Sequence, residues 1–172
     1  GDIDQIATRR KGPFPDRIAD VGVVKDLATH DIDLTSWIAG ARYTSVAALV
    51  AFRVGRAHED LVAVVGRLDN DVVISHLVNW LTPTKERVVV VTGERGCFVA
   101  DMLGADLTFY ANGSVPSEWD AMSRFRGVAE GDVIRFAISK PEPLSSELAA
   151  FASAIVSGDT TSIVSLEDGL EA

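Results

Sequence analysis

The sequence predicts an α+β domain, an open and mostly antiparallel sheet with helices packed on one face. Three observations carry that prediction. Between Tyr43 and Ser139 the chain is a succession of short apolar, largely β-branched runs divided by turn residues. An amphipathic segment precedes these runs. Another follows them, with Leu144, Leu148, Phe151 and Ile155 recurring at helical spacing. Strands grouped together, with helices before and after, build a covered sheet rather than alternating βα units.

Taken in order, the first nine residues are a strand candidate, and KGPFPD after them marks a shaped loop, because its prolines and glycine oppose regular structure. A helix is expected from about Val23 to about Ala39, ended by Gly40 at the C′ position. YTSVAALVAFRVG opens the strands. DLVAVVGRLDNDVVISHLVNWL holds two apolar runs broken at Asp69-Asn70-Asp71, a hairpin signal. A strand from Glu86 to Val91 turns at Gly93-Glu94-Arg95-Gly96 into CFVADML. Short strands follow from Ala105 to Tyr110 and from Asp132 to Ser139, with a long polar loop expected from Asn112 to Arg124. In EPLSSELAAFASAIVSG, Pro143 sits in the first turn of a helix and Gly158 stops it. Ser165 and Asp168 then form a capping-box start for a helix of barely two turns. With no initiator Met at the other end, the chain reads as a piece of a longer protein.

A length of 172 residues fits one domain, residues 1–172. The formal charge of -9 argues against a nucleic-acid surface or an anionic membrane, since both demand clustered Lys and Arg. No apolar run approaches the roughly 20 residues that span a bilayer. Cys97 is the only cysteine, which excludes an internal disulfide and points to a cytoplasmic protein. No second histidine stands at helical spacing to His30, so no metal site is expected. Neither GxGxxG nor GxxxxGK[ST] occurs, so this chain builds no Rossmann domain, and any cofactor phosphate must be held outside it.

The segment GVVKDLATHDIDL raises the functional question. At about 100° per residue, Asp26, His30, Asp33 and Trp37 fall within an arc of roughly 60°. Leu27, Leu34 and Ile38 lie on the flank that a helix would bury, while Asp31 points away from Asp26 and is expected to be solvated. Asp26 and His30 are neighbours at i, i+4. A histidine beside a carboxylate is held in one orientation, and its conjugate acid is stabilised, which suits a general base near neutral pH. The plainer alternative is a pair that merely bonds to itself or to water at a surface.

Here the residues resemble a known family, the glucose-fructose oxidoreductase / inositol dehydrogenase (Gfo/Idh/MocA) family. Its C-terminal domain carries G-x-x-x-D-x-x-x-H-x-x-D, matched by Gly22, Asp26, His30 and Asp33. RRKGPFPDRIADVG resembles the loop leading to that motif. NWLTPTKERVVVVTGERG resembles the strand and GE-x-G turn, with Asp101 following in place, and EPLSSELAAFASAIVSGD resembles the terminal helix. The wording from Gly12 to Leu34 is similar to the nucleotide-sugar branch, such as the UDP-N-acetylglucosamine 3-dehydrogenases.

The resemblance implies a substrate-binding and oligomerisation domain of an NAD- or NADP-dependent sugar dehydrogenase. His30 would be the acid/base and Asp26 its partner. Arg10, Arg17, Lys25 and Asp33 are the substrate-contact candidates, although Lys25 stands where the family has an aliphatic residue. The family's N-terminal Rossmann domain and its E-K-P lysine have no counterpart here, as Lys140-Pro141-Glu142 is not that motif. The chain alone is therefore expected to bind no cofactor and to be inactive. A homo-oligomer through the sheet face is the expected assembly. The rival expectations are a non-catalytic assembly module with a vestigial Asp/His pair, and a metal-dependent isomerase or hydrolase.

Overall fold

The computed structural model describes residues 2–15, 18, 20–113 and 129–171. The chain enters as β1 (Ile3–Pro13), passes through one π-helical turn (Val24–Ala28), and continues as α1 (Thr29–Ala39). Seven more strands follow: β2 (Tyr43–Ala51), β3 (Leu61–Leu68), β4 (Val73–Asn79), β5 (Leu81–Gly93), β6 (Gly96–Asp101), β7 (Asp106–Gly113) and β8 (Ala129–Phe136). Two helices close the chain, α2 (Pro143–Ser157) and α3 (Leu166–Glu171).

The strands form one sheet in the order β2-β3-β4-β1-β5-β6-β7-β8. Every pairing is antiparallel except β1 with β4, which is parallel. The α+β, mostly antiparallel expectation therefore holds. What the sequence underrates is β1. It lies at the centre of the sheet and runs on through Gly12 to Pro13, where a register shift against β5 between Lys11 and Pro13 accommodates a residue with no N–H.

The turns follow their residues. Asp71 takes a positive φ of 68° between β3 and β4, at the expected hairpin. Gly96 sits at φ 140° in the β5–β6 turn, where a Cβ would overlap the Tyr110 carbonyl, so only glycine fits. Asp101 accepts from the amides of Leu103 and Gly104 and so shapes the next turn. The expected loop from Asn112 to Arg124 opens inside β7, which reaches Gly113, and its remainder lies outside the described residues.

Two buried clusters hold the sheet and helix together. Ile6, Leu68, Val72, Ile74 and Val89 form one, with Leu34 and Ile38 of α1 packed on it. Ile18, Val23, Ala28, Val62, Val78 and Trp80 form the other, where Phe14 meets the Trp80 ring edge-on at 5.3 Å.

The chain divides into two compact units, Gly1–Ala137 and Ile138–Ala172. In the second, the Glu142 carboxylate caps α2 by accepting from the Leu144 and Ser145 amides, and these bonds pull its pKa below the usual value. Gly158 ends the helix in the left-handed conformation. Among the described residues no helix is long and apolar enough to cross a membrane.

Candidate functional site

The π-turn and α1 carry every described residue of the G-x-x-x-D-x-x-x-H-x-x-D motif except its glycine, which precedes them. In the π-turn the Thr29 amide bonds to the Val24 carbonyl, five residues back. Such a turn holds one residue more than an α-helical turn, so Asp26 and His30, four residues apart, are separated by slightly less than one turn.

Gly22 explains how this turn begins. The Val23 amide donates to the Glu59 carbonyl at 3.0 Å, and the Val24 amide donates to Glu59 Oε1 at 3.0 Å. A Cβ on Gly22 would overlap that carboxylate. Glu59 is thus a helix cap that sequence reading missed, because it arrives from the β2–β3 connection, 35 residues away from Val24. Gly22→Ala is expected to displace it and cost about 0.5–2 kcal/mol, the scale of a lost N-cap. Urea denaturation of Gly22→Ala, Glu59→Ala and the double variant checks this: two fully additive losses would show that the residues do not share one cap.

His30 is exposed, Asp26 and Asp33 are half-buried, and Lys25 is exposed. No hydrogen bond or ion pair joins Asp26 to His30 among the described residues. Trp37, about two turns beyond His30, is 78 % exposed. Arg17 lies outside the described residues.

The opposite side of α1 departs from expectation. Its buried stripe is Ala28, Asp31 and Thr35, with Leu27, Leu34 and Ile38 half-buried on the flanks as expected. Asp31, expected in solvent, is 2 % exposed. The physical reason is Arg10 on β1, whose Nε and Nη2 lie 2.8 Å and 2.7 Å from Asp31 Oδ1. Arg10, a substrate-contact candidate, is itself buried, and its charge is neutralised from within the domain. A helical wheel gives the direction of Asp31 but not the cation waiting there, 21 residues back in the chain.

Around that ion pair lies a polar network. The Thr8 hydroxyl donates to Asp31 Oδ2 at 3.1 Å, and Thr8 Oγ1 lies 2.7 Å from His76 Nδ1. His76 Nε2 lies 2.8 Å from the Tyr43 hydroxyl, which lies 2.8 Å from Thr35 Oγ1. His76 is 3 % exposed and is a hydrogen-bonded structural histidine. Burial pushes its pKa down, and the nearby Asp31 charge opposes this only in part. Burial likewise raises the Tyr43 phenol.

A histidine that is buried neutral binds fewer protons folded than unfolded below its unfolded pKa of about 6.5. Its contribution to stability is complete above that pH and is lost as pH falls through the window down to its lowered folded pKa. The slope there is at most about 1.4 kcal/mol per pH unit for one proton. Melting temperatures taken from about pH 7 to pH 5 should fall more steeply for the native protein than for His76→Gln. Parallel curves would contradict the assignment.

The fit of a dinucleotide to this chain can be judged from the same residues. Pyrophosphates are held by free amides at a helix N-terminus after a glycine-rich turn. Here the first amides of the π-turn are already bonded to Glu59, and its carboxylate would repel phosphate. The described residues do not fit that group. An apolar hollow of about 960 Å³, lined by Leu34, Trp37, Ile38, Val89, Phe98 and Phe109, also lies on the α1 side of the sheet, but neither Asp26 nor His30 borders it.

A sheet of this order with one helix across it, polar on much of its outer face, defines an α+β domain. The chain belongs to the Gfo/Idh/MocA family: residues 2–99 match the GFO/IDH/MocA C-terminal domain. It is therefore an oxidoreductase-family C-terminal domain. No curated protein matches the sequence.

Solved structures share the fold. A UDP-N-acetylglucosamine 3-dehydrogenase, GnnA, from Acidithiobacillus ferrooxidans superposes with a TM-score of 0.76 at 23% identity, covering 92% of this chain and 48% of that one. Levoglucosan dehydrogenase in complex with NADH gives 0.73 at 18% identity, covering 98% and 53%. A super-repressor mutant of Gal80p from Saccharomyces cerevisiae gives 0.69 at 15% identity, covering 95% and 48%. The chain spans about half the length of these proteins.

Proposed function

We propose that this chain is the substrate-side domain of an NAD- or NADP-dependent dehydrogenase that oxidises a ring hydroxyl of a sugar or nucleotide sugar. The observation that carries the reading is the exposed His30 imidazole beside Asp26, on the outward side of a helix whose inward side is fixed by the Arg10–Asp31 pair. His30 takes the proton of the substrate hydroxyl as its carbon is oxidised. Asp26 orients the imidazole and stabilises the imidazolium that forms. The hydride acceptor is held by the remainder of the full-length protein, in a Rossmann domain, and this chain alone is inactive.

Lys25, exposed on the π-turn, and Arg17 are the candidates for an anionic part of the substrate, and Asp33 for a second hydroxyl. Arg10 acts through Asp31. The face of the sheet away from α1 presents Leu49, Val65, Val73 and Leu77, all exposed, and supports association of like copies there. The direct test is His30→Ala in the full-length protein, with turnover measured by NAD(P)H absorbance on sugar and nucleotide-sugar alcohols. Unchanged turnover refutes the acid/base assignment.

The likeness to Gal80p favours a second reading. The same fold occurs in a repressor, so a regulatory or assembly module with an idle Asp/His pair is the rival. That reading predicts the unchanged turnover just named.

A further inference from the structure

We propose that His76, with Thr8 and Tyr43, is a positioning residue for His30: these side chains close a directional hydrogen-bonded ring onto Asp31 and Thr35 that fixes the rotation of α1 about its own axis. The inference rests on the acid/base reading of His30 for its catalytic consequence, but not for its geometry.

The ring joins four elements. Asp31 and Thr35 come from α1, Thr8 from β1, His76 from β4 and Tyr43 from β2. Thr8 and His76 are register partners in the parallel pair, so they lie side by side on the face that α1 covers. Thr35 also bonds the carbonyls of Asp31 at 2.8 Å and Ile32 at 3.1 Å, which returns the path to its start. Asp31, Thr35, Thr8 and His76 are all buried, so none of these contacts is traded freely for water.

Hydrogen bookkeeping then sets the direction. A carboxylate held by Arg10 is acceptor-only, so Thr8 spends its one hydrogen on Asp31 Oδ2. Thr8 must therefore accept from His76, which places the imidazole hydrogen on Nδ1. Nε2 is bare and accepts from the Tyr43 hydroxyl, while Thr35, 2.8 Å from both the Tyr43 hydroxyl and the Asp31 carbonyl, shares its one hydrogen between those two oxygens. Three hydrogens then run in one sense, from Tyr43 through His76 and Thr8 to the carboxylate, and each bond polarises the next.

The consequence reaches His30 because it is the residue before Asp31. A helix resting on apolar contacts alone can roll by several degrees at small cost, whereas this one is pinned at two of its inward residues to three strands. Rolling α1 breaks the ring. Displacement of a catalytic group by even about 1 Å costs on the order of 10²-fold in rate.

The test uses the full-length protein labelled with ¹⁵N-histidine. At neutral pH, His76 is expected as the Nδ1–H tautomer. In Thr8→Val, Nδ1 loses its acceptor and the ring reverses, with Nε2–H donating to Tyr43, Tyr43 to Thr35, and Thr35 to the Asp31 carbonyl. In Tyr43→Phe the Nδ1–H form is retained. Thr8→Ser, which keeps the hydroxyl, behaves as the native protein. Both Thr8→Val and Tyr43→Phe are expected to lower kcat about tenfold or more, with KM changed by less than about twofold.

An Nε2–H tautomer in the native protein, or an unmoved tautomer in Thr8→Val, overturns the ring. Native kcat in both variants overturns the positioning role. Should Thr8→Val fail to fold, Tyr43→Phe and Thr8→Ser decide the kinetic arm and the native tautomer decides the ring. If His30→Ala keeps full turnover, the acid/base reading fails separately, since the tautomer pattern does not depend on activity.

Discussion

Asp31→Ala should destabilise the domain by about 3–5 kcal/mol, the scale for removing one partner of a buried ion pair. The substitution leaves the Arg10 guanidinium, whose side chain is only 8 % exposed, without a countercharge in a medium that solvates it poorly. It also strips the Thr8 hydroxyl of its acceptor. The cost is that of an orphaned charge, not the net worth of the pair, and a second substitution separates the two. Arg10→Met with Asp31→Leu removes both charges at similar volume, and such replacements are often neutral. Urea denaturation is therefore expected to show a large loss for the single variant and recovery of most of it in the double one. A single-variant loss below about 1 kcal/mol would mean that the pair is solvated in solution.

His30→Ala has the opposite profile. The side chain is exposed, so stability should stay within about 0.5 kcal/mol of native. Turnover in the full-length protein should fall by about 10²–10⁴, the contribution of a positioned acid/base. Asp26→Asn keeps the shape of its residue but removes the carboxylate that orients the imidazole, so it should reduce kcat less than His30→Ala does. Two adjacent residues, His30 and Asp31, thus divide the labour of one helix. The first is expected to set rate with little effect on folding, and the second to hold the fold and, through the position of α1, to affect rate as well. Loss of stability in His30→Ala as large as that in Asp31→Ala would show that the two faces have been assigned wrongly.

Local signals made much of this legible. The Asp69–Asp71 hairpin, the Gly93–Gly96 turn and the Pro143-to-Gly158 helix each depend on a few consecutive residues, and each is found where those residues predict it. The outward position of His30 also follows from helical periodicity. What periodicity could not supply was identity across the interface. Asp31 looked solvated because carboxylates usually are, and its burial depends on Arg10, Thr8 and, through Thr8, His76. Glu59 was invisible for the same reason, since nothing near Gly22 announces a cap arriving from another connection. The central place of β1 was hidden too. Its alternation puts Ile6, Thr8 and Arg10 on the covered face, a row whose polarity disguises its burial.

That strand has a consequence for how the protein is held together. β2, β3 and β4 are joined to one another by successive antiparallel connections, and so are β5 to β8, but the two ribbons touch in the ladder only through β1. An eleven-residue strand is the single seam of an eight-stranded sheet. Withdrawing it would bare the flanks of β4 and β5 together, two long rows of unpaired amides and carbonyls open to any other chain. The segment nearest the start of the sequence is thus the one that keeps those two inner flanks paired.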